Sequence, residues 1–115
     1  MPQYSKLLVW NHARTLVQQV TAATRGVRGE GDFISQIRRA SISVAANIAE
    51  GAERGSSRDF VRFLRIADGS NAETQALSLI AGDAGIFETQ QVHKIVSQTN
   101  EIGRMLNGLM RRHSG

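Results

Sequence analysis

Apolar residues recur along this chain at helical spacing in four stretches. In the first, from about Lys6 to Arg25, Trp10, Ala13, Val17, Val20 and Thr24 fall three or four residues apart, with Leu16 beside them, and make one face of a helix. The second begins near Asp32, a good N-cap after Gly31, continues through Ile34, Ile37, Ser41, Val44 and Ile48, and stops at Gly51. The third opens on Ser56-Ser57-Arg58-Asp59, which has cap chemistry, and sets Phe60, Phe63, Leu64, Ala67, Asn71, Thr74 and Leu77 on one side. The fourth starts near Glu88-Thr89. Its Val92, Ile95, Thr99, Ile102, Leu106 and Leu109 alternate spacings of three and four, as a seam between helices requires. Glycines cluster at 26–31, 51–55 and 82–85 and mark three short loops, while the one proline, Pro2, precedes every helix. No period-two alternation competes. The pattern predicts an all-α fold: an antiparallel up-and-down four-helix bundle, one domain over residues 1–115.

The same pattern predicts more apolar surface than a lone bundle can cover. From Ala40 to Ala49 the second helix carries no charge on any face. A helix in a monomeric bundle keeps one face in water, so a helix apolar all round needs further cover. Ala45, Ala46 and Ala49 would also let another helix approach closely. In the third helix Ala72, Ala76, Leu79 and Ile80 lie opposite or beside the core face at about 100° per residue. A second buried surface shared between subunits of a homo-oligomer accounts for both features. Tight burial of the second helix inside one chain is the alternative.

Composition narrows the chemistry. Charged residues make up 21% and hydrophobic ones 41%, which suits a globular chain. With no cysteine, disulfides, thiolate nucleophiles and cysteine metal sites are excluded. The start of the chain lacks the apolar stretch of a signal peptide, and the run 40–49 is too short to span a bilayer, so a soluble, cytoplasmic protein without a membrane partner is expected. His12, His93 and His113 stand far apart, and Glu50 and Glu53 form Glu-x-x-Glu rather than the Glu-x-x-His of di-iron bundles. No phosphate-binding loop, dinucleotide fingerprint or nucleophile elbow occurs. No metal, cofactor or catalytic residue is expected, and the chain reads as non-enzymatic.

The net charge is +4, and 12 of the 14 basic residues are arginine, whose planar fork of donors matches phosphate and carboxylate. Two arginine groups stand out. Arg38 and Arg39 enter the uncharged stretch; Glu50 and Glu73 are the expected partners, with Asn47 joining them in a structural polar network, and an anion site is the alternative. Arg54, Arg58, Arg62 and Arg65 fall within an arc of about 80° on an ideal helix, opposite Phe60, Phe63, Leu64 and Ala67, and Asp59 lies on a different face. Like charges on one ridge suit a phosphate backbone. A solvated face that keeps the particle soluble is the competing account. Single-strand stacking is disfavoured, because the few aromatics fall mostly on core faces.

Several blocks are familiar in combination: Leu7-x-x-Trp10, Gln36-x-Arg38-Arg39-Ala40, Asn47-Ile48-Ala49-Glu50-Gly51, Phe60-x-x-Phe63-Leu64-x-x-Ala67-x-Gly69-Ser70 and Glu73. In this order they resemble the bacterial four-helix-bundle family named after the 23S rRNA intervening-sequence protein, over about Leu7 to Met110. The resemblance implies a bundle assembled into a barrel-like homopentamer. Some members of that family are encoded within insertions in ribosomal RNA genes. Similar proteins are accessory factors of diversity-generating retroelements, where a basic pentamer is thought to bind nucleic acid and a reverse transcriptase. The family supplies no catalytic residues. Two features depart from it: the glycine-rich loop 25–31 stands where relatives often carry Phe-Pro, and Ala45 where many have proline. The combined expectation is an oligomeric scaffold, pentameric by resemblance, that holds RNA or DNA or another polyanion on Arg54, Arg58, Arg62 and Arg65. A structural or protein-docking oligomer with no nucleic-acid role is the alternative.

Overall fold

Four helices account for nearly all of the computed structural model, which describes residues 3–114; Met1, Pro2 and Gly115 lie outside the described residues. A short 3-10 turn, Gln3–Lys6, leads into α1 (Leu8–Thr24). It is followed by α2 (Gly31–Ala52), α3 (Ser57–Asp83) and α4 (Thr89–Ser114), and no strand occurs among the described residues.

The ends form by local chemistry. Ser56 caps α3, its hydroxyl oxygen accepting from the Asp59 backbone N–H at 3.2 Å. α3 ends in a Schellman arrangement: Ile86 N–H donates to Ala81 C=O at 2.8 Å and Gly85 N–H to Gly82 C=O at 3.2 Å. Gly85 takes φ 76° there, a region that costs other residues strain. At the start of α4 the Gln91 side-chain oxygen accepts from Glu88 N–H at 3.0 Å. Asp32 was the expected cap of the second helix, but the cap position is Glu30, two residues earlier, and α2 begins at Gly31 with no side-chain cap. Asp32 sits instead in the first turn, where a carboxylate meets the positive end of the helix dipole.

Each helix packs on its chain neighbours, and α1 also packs on α4, closing a ring of four. Gly51 faces Phe60 and Phe63, and Ser43 bonds Ser70 at 2.8 Å. Across α3 and α4, Phe60 meets the His113 ring edge-on, Asn71 donates to Thr99 C=O at 2.8 Å, and Gly82 faces Val92. The core along the axis is built from Leu16, Val20, Ile37, Val44, Ile48, Leu64, Ile95, Ile102 and Leu106. Thr74, Thr99, Asn71 and Ser41 are buried among them. Asn71 and Gln75 both donate across to Thr99 and give the α3/α4 seam a register that aliphatic packing alone would leave free to slide, while Thr74 and Ser41 bond within their own helices.

Burial corrects the expected faces in places. Val9 and Ala23 are buried where Trp10 and Val17 were expected in the core, and Val61 replaces Phe60 and Phe63, which are half-buried. The apolar excess is real in the chain itself. Ile42 is 53% exposed, Leu79 48% and Ile80 54%, with Ala46, Ala72 and Ala76 also exposed.

Candidate polyanion interface

The arginine group of the third segment divides in two. α3 starts at Ser57, so Arg54 lies in the preceding loop and not on the helix. It pairs with Glu50 at 3.6 Å, and its guanidinium lies 4.9 Å from the Phe63 ring centroid. Arg62 lies over the same ring, at 4.5 Å, and pairs with Asp59 at 3.6 Å. Phe63 is therefore flanked by the arginines it was expected to oppose, and Asp59 shares the face it was expected to avoid. These exposed contacts are weak: such ion pairs contribute about 0–1 kcal/mol and such cation–π contacts about 0.5–1 kcal/mol.

Arg58 and Arg65 differ. Both are exposed, and among the described residues no carboxylate lies within ion-pair distance of either. With Arg62 they line a cavity of about 630 Å³ that also takes in Val61, Ile66, His113 and Ser114. His113 and Ser114, at the end of α4, were not anticipated as part of this site. Arg111, Arg112 and His113 form the last turn of α4, and the His113 ring lies 5.0 Å from that of Phe60 near the start of α3. The sequence signal was the basic run itself. Placing its His113 next to Arg58 required the relative lengths of two helices.

The two ends of the dipole separate these charges by cause. Cations in the last turn of α4 are stabilised by the helix field, so Arg111 and Arg112 have a structural explanation. Arg58 stands in the first turn of α3, where that field disfavours a cation, and it makes no ion pair in return, whereas Arg62, one turn further on, pairs with Asp59.

The expected network around Arg38 and Arg39 is not assembled within the chain. Arg38 turns to α1, its Nε donating to Thr24 Oγ1 at 2.8 Å, and Thr24 donates in turn to Val20 C=O. Arg39 is exposed. Glu73 accepts a long bond from Gln36 at 3.4 Å, and Glu50 belongs to Arg54. Asn47 donates to Ser43 C=O and Oγ and so joins the Ser43–Ser70 bridge instead.

The outward residues of α3 form one continuous line. Arg58, Arg62, Arg65, Gly69, Ala72, Ala76 and Ile80 recur at spacings of three and four, basic in the first half and small or apolar in the second. Beside α2, Ala45, Ala46 and Ala49 line a separate groove of about 530 Å³ with Trp10, Val17 and Ile42.

The molecule is thus an all-helical four-helix bundle with arginine concentrated at one end and apolar residues exposed on two of its flanks. The chain belongs to the 23S rRNA-intervening sequence protein family, whose pattern matches residues 5–108. It is similar in fold to a solved protein of unknown function from the S23 ribosomal protein family of Bacteroides thetaiotaomicron. That match has a TM-score of 0.82 at 21% identity, covering 90% of this chain and 96% of the other. No curated protein matches the chain.

Proposed function

We propose that the protein is a cytoplasmic, non-enzymatic scaffold: an antiparallel up-and-down bundle that assembles into a barrel-like ring, pentameric by family, and holds duplex nucleic acid on Arg58, Arg62 and Arg65. Arg54 sits at the edge of this surface. The observation that carries the reading is the grouping of Arg58, Arg62 and Arg65 around one cavity beside His113, with Arg58 and Arg65 free of carboxylate partners and Arg58 set against the helix field in the first turn of α3. A phosphate backbone crossing there removes both the repulsion and the dipole penalty. The family name, with its reference to 23S rRNA, is consistent with a nucleic-acid role.

Assembly follows from two unlike surfaces. The α1/α2 groove over Ala45, Ala46 and Ala49 is concave, and the α3 line of Ala72, Ala76, Leu79 and Ile80 projects outward. A ridge fitting a groove elsewhere on the next copy is a heterologous contact, the kind from which a ring is built when the rotation between copies closes. Gly69 supports this. It is exposed in the middle of α3, a Cβ there would meet open space, and it weakens the helix by roughly 0.5–1 kcal/mol with no return inside the chain. Close approach of a neighbouring helix accounts for it. Light scattering should give a multiple of the single-chain mass for the parent and the single-chain mass for Leu79→Glu/Ile80→Glu, with helicity retained. A parent that runs as one chain would remove the ring.

The nucleic-acid reading is tested by anisotropy of labelled duplex RNA and DNA across a salt series. Three phosphate contacts per chain correspond to a slope of log K on log salt near −3 for each engaged subunit, from about −0.9 per contact. No binding at low salt would leave the second reading, a protein-docking or purely structural oligomer. The ion pairs and the Phe63 ring contacts that already occupy Arg54 and Arg62 favour that alternative.

A further inference from the structure

On the flank away from α2 and α3, the start of α1 and the end of α4 leave a groove of about 440 Å³ between them. Its floor is apolar, with Leu8, Met105 and Leu109 facing an open notch at Gly108. Leu8 is 63% exposed, more than any other large hydrophobic residue among those described. A Cβ at Gly108 would meet no atom within 4 Å, so the notch exists because that residue has no side chain. Lys6, Arg104 and Arg112 complete the lining. Arg104 is paired with Glu101, while Lys6 and Arg112 have no carboxylate within ion-pair distance among the described residues.

We propose that this groove docks an acidic amphipathic helix from a protein partner. The apolar floor calls for leucine-type anchors at i, i+3 and i+7, and the three surrounding cations call for carboxylates flanking them. Met105 adds an unbranched side chain that adapts to the anchor it meets. A nucleic acid would leave the floor uncovered, because the lining contains no aromatic ring on which a base could stack. A second copy of the chain carries the same net charge of +4 and would bring repulsion to a cationic groove. The volume falls within the range of about 300–1,000 Å³ usual for ligand sites. The inference is independent of the arginine surface of α3 and of the ring.

The test uses the full chain and a fluorescein-labelled synthetic helix with leucines at i, i+3 and i+7 and glutamates beside them. Its controls are the same composition in scrambled order and a version with lysine for each glutamate. The ordered acidic peptide should bind at micromolar concentration and both controls at least tenfold more weakly, with ~1.4 kcal/mol for each factor of ten. Gly108→Leu fills the notch and should weaken the peptide about tenfold while leaving duplex RNA affinity unchanged, which separates this site from the α3 arginines. Leucine meets open space there and is a better helix former than glycine, so the variant should melt no lower than the parent. Equal binding of ordered and scrambled peptides, or an affinity indifferent to Gly108→Leu, would overturn the proposal. A change in native mass on Leu8→Gln would also overturn it, by assigning the groove to a subunit contact.

Discussion

Gly51→Ala is expected to destabilise the protein by about 2 kcal/mol and to lower its melting temperature by about 8 °C. An alanine Cβ at this buried position of α2 would stand 2.7 Å from Phe63 Cβ, 3.2 Å from Phe60 Cδ1 and 3.3 Å from the Phe60 carbonyl oxygen. The nearest of these atoms is bonded directly to the α3 backbone and cannot swing away, so α2 and α3 must part. Helix propensity works the other way and favours alanine by about 1 kcal/mol. Overpacking costs about 1–3 kcal/mol and falls at the upper end where backbone must move, so the clash wins. Gly82→Ala is the control. There the near atom at 2.9 Å is Val92 Cγ2, the end of a side chain, and the melting point should stay within a few degrees of the parent. Circular dichroism melts of the two variants decide it: an equal shift in both, or a gain at Gly51, contradicts a close helix crossing at that glycine.

Charge reversal at Arg58 and Arg62 should act on binding and stability in opposite directions. Each phosphate contact by a charged donor contributes about 1.5 kcal/mol, so Arg58→Glu/Arg62→Glu is expected to weaken duplex RNA binding about 100-fold. It should also reduce the salt slope by about 2 for each engaged subunit. The fold should not suffer. Glutamates in the first turns of α3 sit well with the helix dipole and offset the lost Arg62–Asp59 contact, a surface pair worth under about 1 kcal/mol. Anisotropy and a thermal melt on one preparation separate the cases. Unchanged affinity removes the arginine surface from the function, and lost affinity together with lost native mass assigns these arginines to assembly.

Much of the fold was legible because helical periodicity is a local property. Four helices, three glycine-marked loops, the Ser56 cap and the buried Ile37, Val44, Ile48, Leu64, Ile95, Ile102 and Leu106 follow from spacing alone. The rotation of each helix was less legible. α3 packs on both α2 and α4, so its buried stripe is broad and centred on Leu64, Ala67, Asn71 and Thr74, and Phe60 and Phe63 flank it. A large aromatic at the edge of such a stripe looks like core in the sequence. Arg54 was assigned to a helix that Ser56 caps after it, an error of extrapolation across a boundary whose cap had been recognised. The network of Arg38 with Glu73 failed for a different reason. Both side chains had acceptors or donors nearer at hand, Thr24 and Gln36, and such choices depend on how neighbouring helices are turned. The juxtaposition of His113 with Arg58 depends on helix length summed over two elements, which no local pattern carries.

Gln3 and His113 line the same cavity, at the end of the bundle where α2 stops and α3 starts. Because the two extremities of the described chain meet, a short linker could join them, and the polypeptide could be reopened in the loop at 25–30 with its helices undisturbed. Conversely, anything fused to either extremity is delivered to the arginine-rich end. An acidic affinity tag there would act as a tethered decoy for the proposed ligand, and a tag grafted into the distant loop would not.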